Sequence, residues 1–359
     1  MKKLSLFGLM AATLLFASCS KNIDSYQNGD ESQISITFSS PVTKGTTEPT
    51  SNDEISTVSV LVFDGAVNGS NKHELLTYSL ANEWTELADA GGGKNLTLRM
   101  QSTDNVIIYA LANVSVSKED CPDVESFEAL VRDLKDESLS AFAMAARKET
   151  NATSSVSVNL TLRRLAARIQ LDEIAVNFDG NAKLDGKTIT DMSVYLLDAP
   201  TNALYKMDAG GERYSQSGTT DVNGKDFTAT GYKIDGCMYD NIGTVADNGT
   251  VGTHYFHCYQ KDYTSNPLRS SGETPVRLVI MGTLDGETQY WGFDINTEGK
   301  GYSGSTAPYG VTANNIYKVK VNITGYGSDD ELEDPSSANI GVSIIVAPWV
   351  EKDLGTINY

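Results

Sequence analysis

Histidine is nearly missing: His73, His254 and His257 are the only three in 359 residues. With so few imidazoles, and no Ser or Cys set in a nucleophile motif, hydrolytic chemistry has no support and the chain does not read as an enzyme. His254 and His257 precede Cys258, but positions three apart on a strand point to opposite faces and cannot share one ion without a bulge. Cations are also short: 28 basic residues stand against 47 acidic ones, a net charge of −19. That balance excludes nucleic acid and acidic membrane surfaces as partners. The acidic run of Asp329, Asp330, Glu331, Glu333 and Asp334 lacks the spacing and internal turn glycine of a calcium loop. Gly91, Gly92 and Gly93 lead into Lys94 without the Gly-Lys-Ser/Thr ending of a phosphate-binding loop. No cofactor or metal is expected. The apolar run at 4–16 is too short for a stable membrane anchor.

That short run has a use. Lys2 and Lys3 precede it, and Phe16-Ala17-Ser18-Cys19 follows it. Small residues before a cysteine resemble a bacterial lipobox, which implies a signal peptide over 1–18 and acylation of Cys19. Of the four cysteines, Cys121, Cys237 and Cys258 then remain. An odd number allows one disulfide within the chain at most, and a pair of Cys237 with Cys258 stays open. Residues 20–31 are polar and fit a tether. Ile34, Ile36 and Phe38 alternate with Ser35, Thr37 and Ser39, a first strand with one apolar face. The stretch 41–54 is made of turn and breaker residues. Between Cys19 and Lys72 the only basic residues are Lys21 and Lys44. A trypsin-like protease therefore has one good site here, between Lys44 and Gly45.

Tyrosine (17) and glycine (31) are plentiful and proline (9) is scarce. Apolar runs of seven to ten residues recur between turn clusters, notably at 55–63, 105–114, 188–197, 276–283, 289–295 and 315–324. Asp285-Gly286 signals a hairpin. The spacing of Phe127, Leu130, Val131 and Leu134 predicts a helix over 126–139, with Ser126 as its cap. Residues 141–149 stay open between helix and loop. Arg163 and Arg164 mark a joint between two strands, and the domain boundary falls there. Residues 204–247, rich in Gly, Asp and Ser, are expected to form long surface loops. The fold class is all-β with one or two short helices, each half a mostly antiparallel sandwich.

The closing stretch 339–359 (NIGVSIIVAPWVEKDLGTINY) supplies a second candidate element. Ile340, Val342, Ile344 and Val346 share one face of a strand, Pro348 ends the pattern, and Trp349, Leu354 and Ile357 add sparser apolar positions. The polar segment 325–339 is expected to detach this strand from all that precedes it. Such a strand can close its own sheet or fill a gap in another copy.

Taken in order, these stretches resemble the fimbrillin family of Bacteroidales, the major subunits of protease-assembled (type V) pili. The resemblance rests on the lipobox at Cys19, EISTVSVLVFD at 54–64, VIIYALANV at 106–114 and RLAARI at 164–169. HYFHCYQ at 254–260, PVRLVIMGTL at 275–284, NIYKVKVNITGYG at 315–327 and the final strand with Trp349 complete it. It implies two tandem transthyretin-like Greek-key β-sandwich domains, here 45–165 and 166–327. It implies a palmitate-bearing lipoprotein precursor in the outer membrane whose segment 19–44 is cut away with the strand of Ile34, Ile36 and Phe38. The C-terminal strand of another copy, carried on the acidic linker and donor segment 328–359, then fills the groove, giving a filament with accessory tip and anchor subunits that supports cell adhesion. A tip adhesin or a membrane-retained anchor of the same pilus is the alternative, and a glycan-binding surface lipoprotein a remoter one. Lys44 departs from the Arg at the cut site of the best-known members, so the maturation protease is left unidentified.

Overall fold

The computed structural model describes residues 31–39, 55–90, 93–211, 213–214, 221–222, 238–302 and 308–349. Cys19, Lys44, Gly45, Cys237, Leu354 and Ile357 lie outside them. The described chain is nearly all strand. Its first part runs β1 (Glu31–Ser39), β2 (Val58–Asp64), β3 (Leu75–Ala81), β4 (Ala88–Ala90), β5 (Gly93–Gln101), β6 (Thr103–Ala112), α1 (Val124–Glu128), β7 (Val131–Asp133), β8 (Met144–Ala152), β9 (Val156–Thr161) and β10 (Arg163–Arg164). Two sheets result, ordered β4-β5-β1-β9 and β10-β8-β6-β2-β3.

The second part runs β11 (Ala166–Val176), β12 (Thr188–Leu197), β13 (Ala199–Pro200), β14 (Asn202–Leu204), β15 (Asp221–Val222), β16 (Tyr239–Ala246), β17 (Thr250–Val251), β18 (His254–Tyr259), β19 (Lys261–Tyr263), β20 (Arg277–Leu284), β21 (Glu287–Asp294), β22 (Tyr309–Val311), β23 (Asn315–Ile323) and β24 (Ile340–Pro348). Its large sheets are β17-β11-β23-β24, with β18 also on β11, and β16-β12-β20-β21. Each of the four large sheets draws its strands from one side of Leu165.

Two strands explain why the first part holds together. Along β2, Val58, Val60 and Val62 pack into one core, while Leu61 and Phe63 pack into another. Along β6, Val106, Ile108 and Ala110 take the first side and Ile107, Tyr109 and Leu111 the second. A strand covered on both faces is mostly apolar, and the one polar residue between Val58 and Phe63, Ser59, is buried with its hydroxyl donating to the Val114 carbonyl at 3.3 Å, so both stretches read as dense hydrophobic runs. The first core lies against the β1 sheet. The second is roofed by Val124 and Phe127 of α1, with Tyr109 and Phe127 rings 4.6 Å apart, and continues into the second part of the chain.

Three expectations are corrected. The helix predicted over 126–139 is five residues long, with Asp123 rather than Ser126 as its cap, accepting from the Ser126 amide. Beyond it Val131–Asp133 extends to pair with Asn202–Leu204; Val131 is exposed, while Phe127, Leu130 and Leu134 of the expected face reach the core without a continuous helix. Residues 141–149 run into strand β8, paired to β6. Within 204–247, Tyr205, Met207, Tyr214 and Met238 are buried, and Tyr239–Ala246 is an edge strand on β12, so this stretch is less of a surface loop than its composition suggests. The Asp285-Gly286 hairpin is present, with both residues at positive φ (58° and 85°) as a two-residue primed turn demands.

Candidate functional site: a central strand and an edge strand

β1 occupies the middle of its sheet. On one side it pairs antiparallel to β5, with Ile36 opposite Leu96; on the other it pairs parallel to β9, with Ile36 opposite Val158. Ile34, Ile36 and Phe38 are wholly buried, and Phe38 packs on Trp84 at 6.2 Å between ring centroids. Ser32 is also buried and satisfies its hydroxyl on the Ser154 carbonyl at 2.9 Å. The opposite face is polar: Asn95 donates to the Ser35 hydroxyl at 2.9 Å. Burial of three large apolar side chains stabilises by about 5–9 kcal/mol before ordering costs. Neither neighbour is joined to β1 by a hairpin, since β5 and β9 lie far along the chain.

β24 sits at the opposite extreme, on a sheet edge. It pairs with β23 antiparallel through nine positions, Ile340 opposite Ile323 through Pro348 opposite Asn315. Ile340, Val342 and Val346 are half-buried, Ile344 is buried and Ile345, on the outer face, is 64% exposed. Gly301, at φ +98°, passes so close that a Cβ there would lie 2.8 Å from the Ile344 side chain. The strand therefore folds back on its own sheet in this chain.

The segment before it is not detached, contrary to expectation. Arg277, fully buried, donates from Nε to the Glu331 carbonyl (2.9 Å), from Nη2 to the Glu333 carbonyl (2.7 Å) and from Nη1 to the Asp334 carboxylate (2.8 Å). Tyr195 donates to the Glu331 carboxylate at 2.7 Å, and the Trp291 indole N–H to the Gly325 carbonyl at 3.0 Å. Lys300 pairs with Asp334 as well. Burial pushes the Asp334 carboxyl up, but Lys300 and Arg277 outweigh it and hold the group below the ordinary carboxylate value. Composition suggested a solvated linker because the cation that docks it lies on a strand far back in the sequence.

Trp349, just past β24, is wholly buried. The Arg164 and Arg168 guanidinium carbons lie 4.6 and 4.3 Å from its ring centroid, and the Phe142 and His257 rings 5.4 and 5.9 Å away. Its backbone N–H donates to the Asn314 carbonyl at 2.9 Å. Sequence reasoning placed Trp349 on the tail strand and missed this setting. The signal was present: two arginines four apart in an otherwise apolar stretch, RLAAR. His254 meets Asp240 while His257 is buried beside Arg168, so the two histidines do face apart. Among the described residues no group of three His, Cys, Asp or Glu side chains is placed to share a metal ion. Cys121 and Cys258 are both buried.

The two strands match in length and pattern. Each has nine residues, and each presents four alternate positions to a core: Ser32, Ile34, Ile36 and Phe38 in β1, and Ile340, Val342, Ile344 and Val346 in β24. A stretch of 178 residues is 30% identical to the major fimbrium subunit FimA type-4 of Porphyromonas gingivalis. Over that stretch the chain is similar to a fimbrial major subunit. That match takes in 47% of this chain and 44% of FimA type-4, so the chain spans less than half the length of the curated relatives it matches. The fold likeness is broader. The crystal structure of a P. gingivalis W83 fimbrilin superposes with a TM-score of 0.59 at 17% identity, covering 89% of this chain and 98% of that one. A candidate cell adhesion protein from Parabacteroides distasonis gives a TM-score of 0.61 at 16% identity, covering 90% and 98%. At such identities the likeness is one of fold. No protein-family model matches the chain.

Proposed function

We propose that the chain is a structural subunit of a cell-surface fimbrium that supports adhesion and polymerises by strand exchange. It is exported as a lipoprotein acylated on Cys19 and held at the outer membrane. A trypsin-like protease cuts between Lys44 and Gly45 and frees segment 19–44 with β1. The sandwich domains 45–165 and 166–327 remain, and the donor strand that ends the linker-and-strand segment 328–359 of another copy enters the groove between β5 and β9. Trp349, Leu354 and Ile357 travel with that donor strand. The observation that carries the reading is the position of β1: central in its sheet, wholly buried on one face and tied to neither neighbour by a hairpin.

Energetics support the direction. Losing β1 bares backbone groups on β5 and β9 and an apolar trough, which is unstable alone. At its own edge β24 has one ladder and mostly half-buried side chains; in the groove it would gain a second ladder and full burial. Four such side chains stabilise by roughly 6–12 kcal/mol in full burial, less what they already bury at home and less the cost of association. This is strand addition to an open sheet. Donor and groove lie on different parts of the molecule, so the contact is head-to-tail and extends into a filament with tip and anchor subunits at its ends.

The test is to treat purified precursor with limiting trypsin and look for polymers by electron microscopy, with Lys44→Ala as the uncut control. Fibres from the wild type alone are expected; stable trimmed monomers would sink the reading. Mass spectrometry of protein sheared from cells should find Gly45 at the N-terminus. Acyl-Cys19 in the assembled form would identify an anchor instead.

A further inference from the structure

β24 is suspended between two unlike attachments. At its start, residues 331–334 are held by the buried Arg277 guanidinium through charge-assisted bonds. Asn339 adds two more bonds: its carbonyl accepts from the Thr324 amide at 2.8 Å, and its side-chain amide donates to the Tyr326 carbonyl at 2.9 Å. At its finish stands Trp349. The indole Nε1 is buried and, among the described residues, has no hydrogen-bond acceptor, so the side chain is held by core packing and by ring and cation contacts, with one backbone bond to Asn314. Between the two, Ile344 is the deepest residue of a strand otherwise half-buried or exposed.

We propose that Trp349, in its cage of Arg164, Arg168, Phe142 and His257, is the latch that keeps β24 docked on β23, and that the strand leaves by opening at this end while the Arg277 clamp stays closed as the pivot. The asymmetry follows from bond type. Bonds from a buried guanidinium to carbonyls and a carboxylate are strong, and breaking them strands a buried charge. Ring stacking and cation–π contacts are weaker, and the unsatisfied indole N–H already costs the docked state something that release to water or a new partner would recover. The cage draws on residues from both sides of Leu165, so the latch also senses how the two parts of the chain sit together. The consequence for assembly rests on the strand-exchange reading; the latch itself does not.

The experiment uses the full, untrimmed chain and hydrogen exchange of the amides that β24 bonds to β23. Trp349→Ala is expected to speed exchange over 340–348 by about tenfold or more while amides of β6 and β20 keep wild-type rates, as local opening requires. Trp349→Phe, which keeps a ring but a poorer cation–π face, is expected to fall between the two, and it serves if the alanine variant does not fold. Unchanged exchange over 340–348, or an equal rise in β20, would overturn the latch. After trypsin trimming, Trp349→Ala is expected to start polymerising sooner than wild type. If wild type forms no polymer either, the strand-exchange reading has failed while the exchange data still judge the latch.

Discussion

Ile36 lies opposite Val158 in a parallel register, although the two strands are far apart in the chain. Parallel neighbours cannot be joined by a tight turn, so β1 is threaded between β5 and β9 and not folded onto either. A cut in the segment that follows it would let it leave without unpicking any hairpin.

The first prediction concerns that strand in the precursor. Ile36→Ala should destabilise the untrimmed chain by about 2–5 kcal/mol, because it opens a cavity between two fully packed neighbours. Urea unfolding of the precursor measures this. The same substitution should leave the trimmed subunit, which has lost β1, unaltered.

Opposite faces of β24 should behave differently. Ile344→Asp places a charge on the inward face and is expected to abolish polymer after trimming, by electron microscopy. Ile345→Ser, on the exposed outer face, should change precursor stability by no more than about 0.5 kcal/mol. Equal effects on assembly would show that the strand does not use the face it buries here.

Arg277→Met should cost about 3–5 kcal/mol, since Asp294 and the carbonyls of Glu331 and Glu333 lose their buried donor. Gly292→Ala should act on the same clamp, because a Cβ there would stand 2.7 Å from the Arg277 Nε. A cost of roughly 1–3 kcal/mol is expected for that overpacking. Both are read by thermal or urea unfolding, with proteolysis within 325–339 as the local measure.

Acid should loosen the same segment. The Asp334 carboxyl is held below its ordinary value of 3.8, so its contribution is fully present above that value and is lost as pH falls through the lowered one. Asp334→Asn should flatten the acid limb of the stability profile between pH 7 and about pH 2.

The strands were legible where burial leaves a period or fills it. β12 has the limits expected from its sequence, Thr188–Leu197, and the dense apolar runs of β2 and β6 marked both as strands, though not as strands covered on both faces. The short helix was misjudged because Leu130 and Val131 fit a helical face as well as they fit an extended segment, and the pairing of Val131 with Leu204 decided between them. The docking of 325–334 was illegible for a different reason. A carboxylate run looks solvated until the one buried guanidinium that neutralises it is known, and Arg277 stands within an apolar strand where nothing local announces its partner. The apolar pattern of β24 was visible, but its present site on β23 was not, since the same alternation serves either its own sheet or another copy's.

β23 carries Lys318 and Lys320 on the face it shares with Ile345 and Ser343. Should β24 depart, this becomes an outermost strand lined with ammonium groups, a feature that discourages stray pairing. The surface that gives up its strand would thus repel casual replacements.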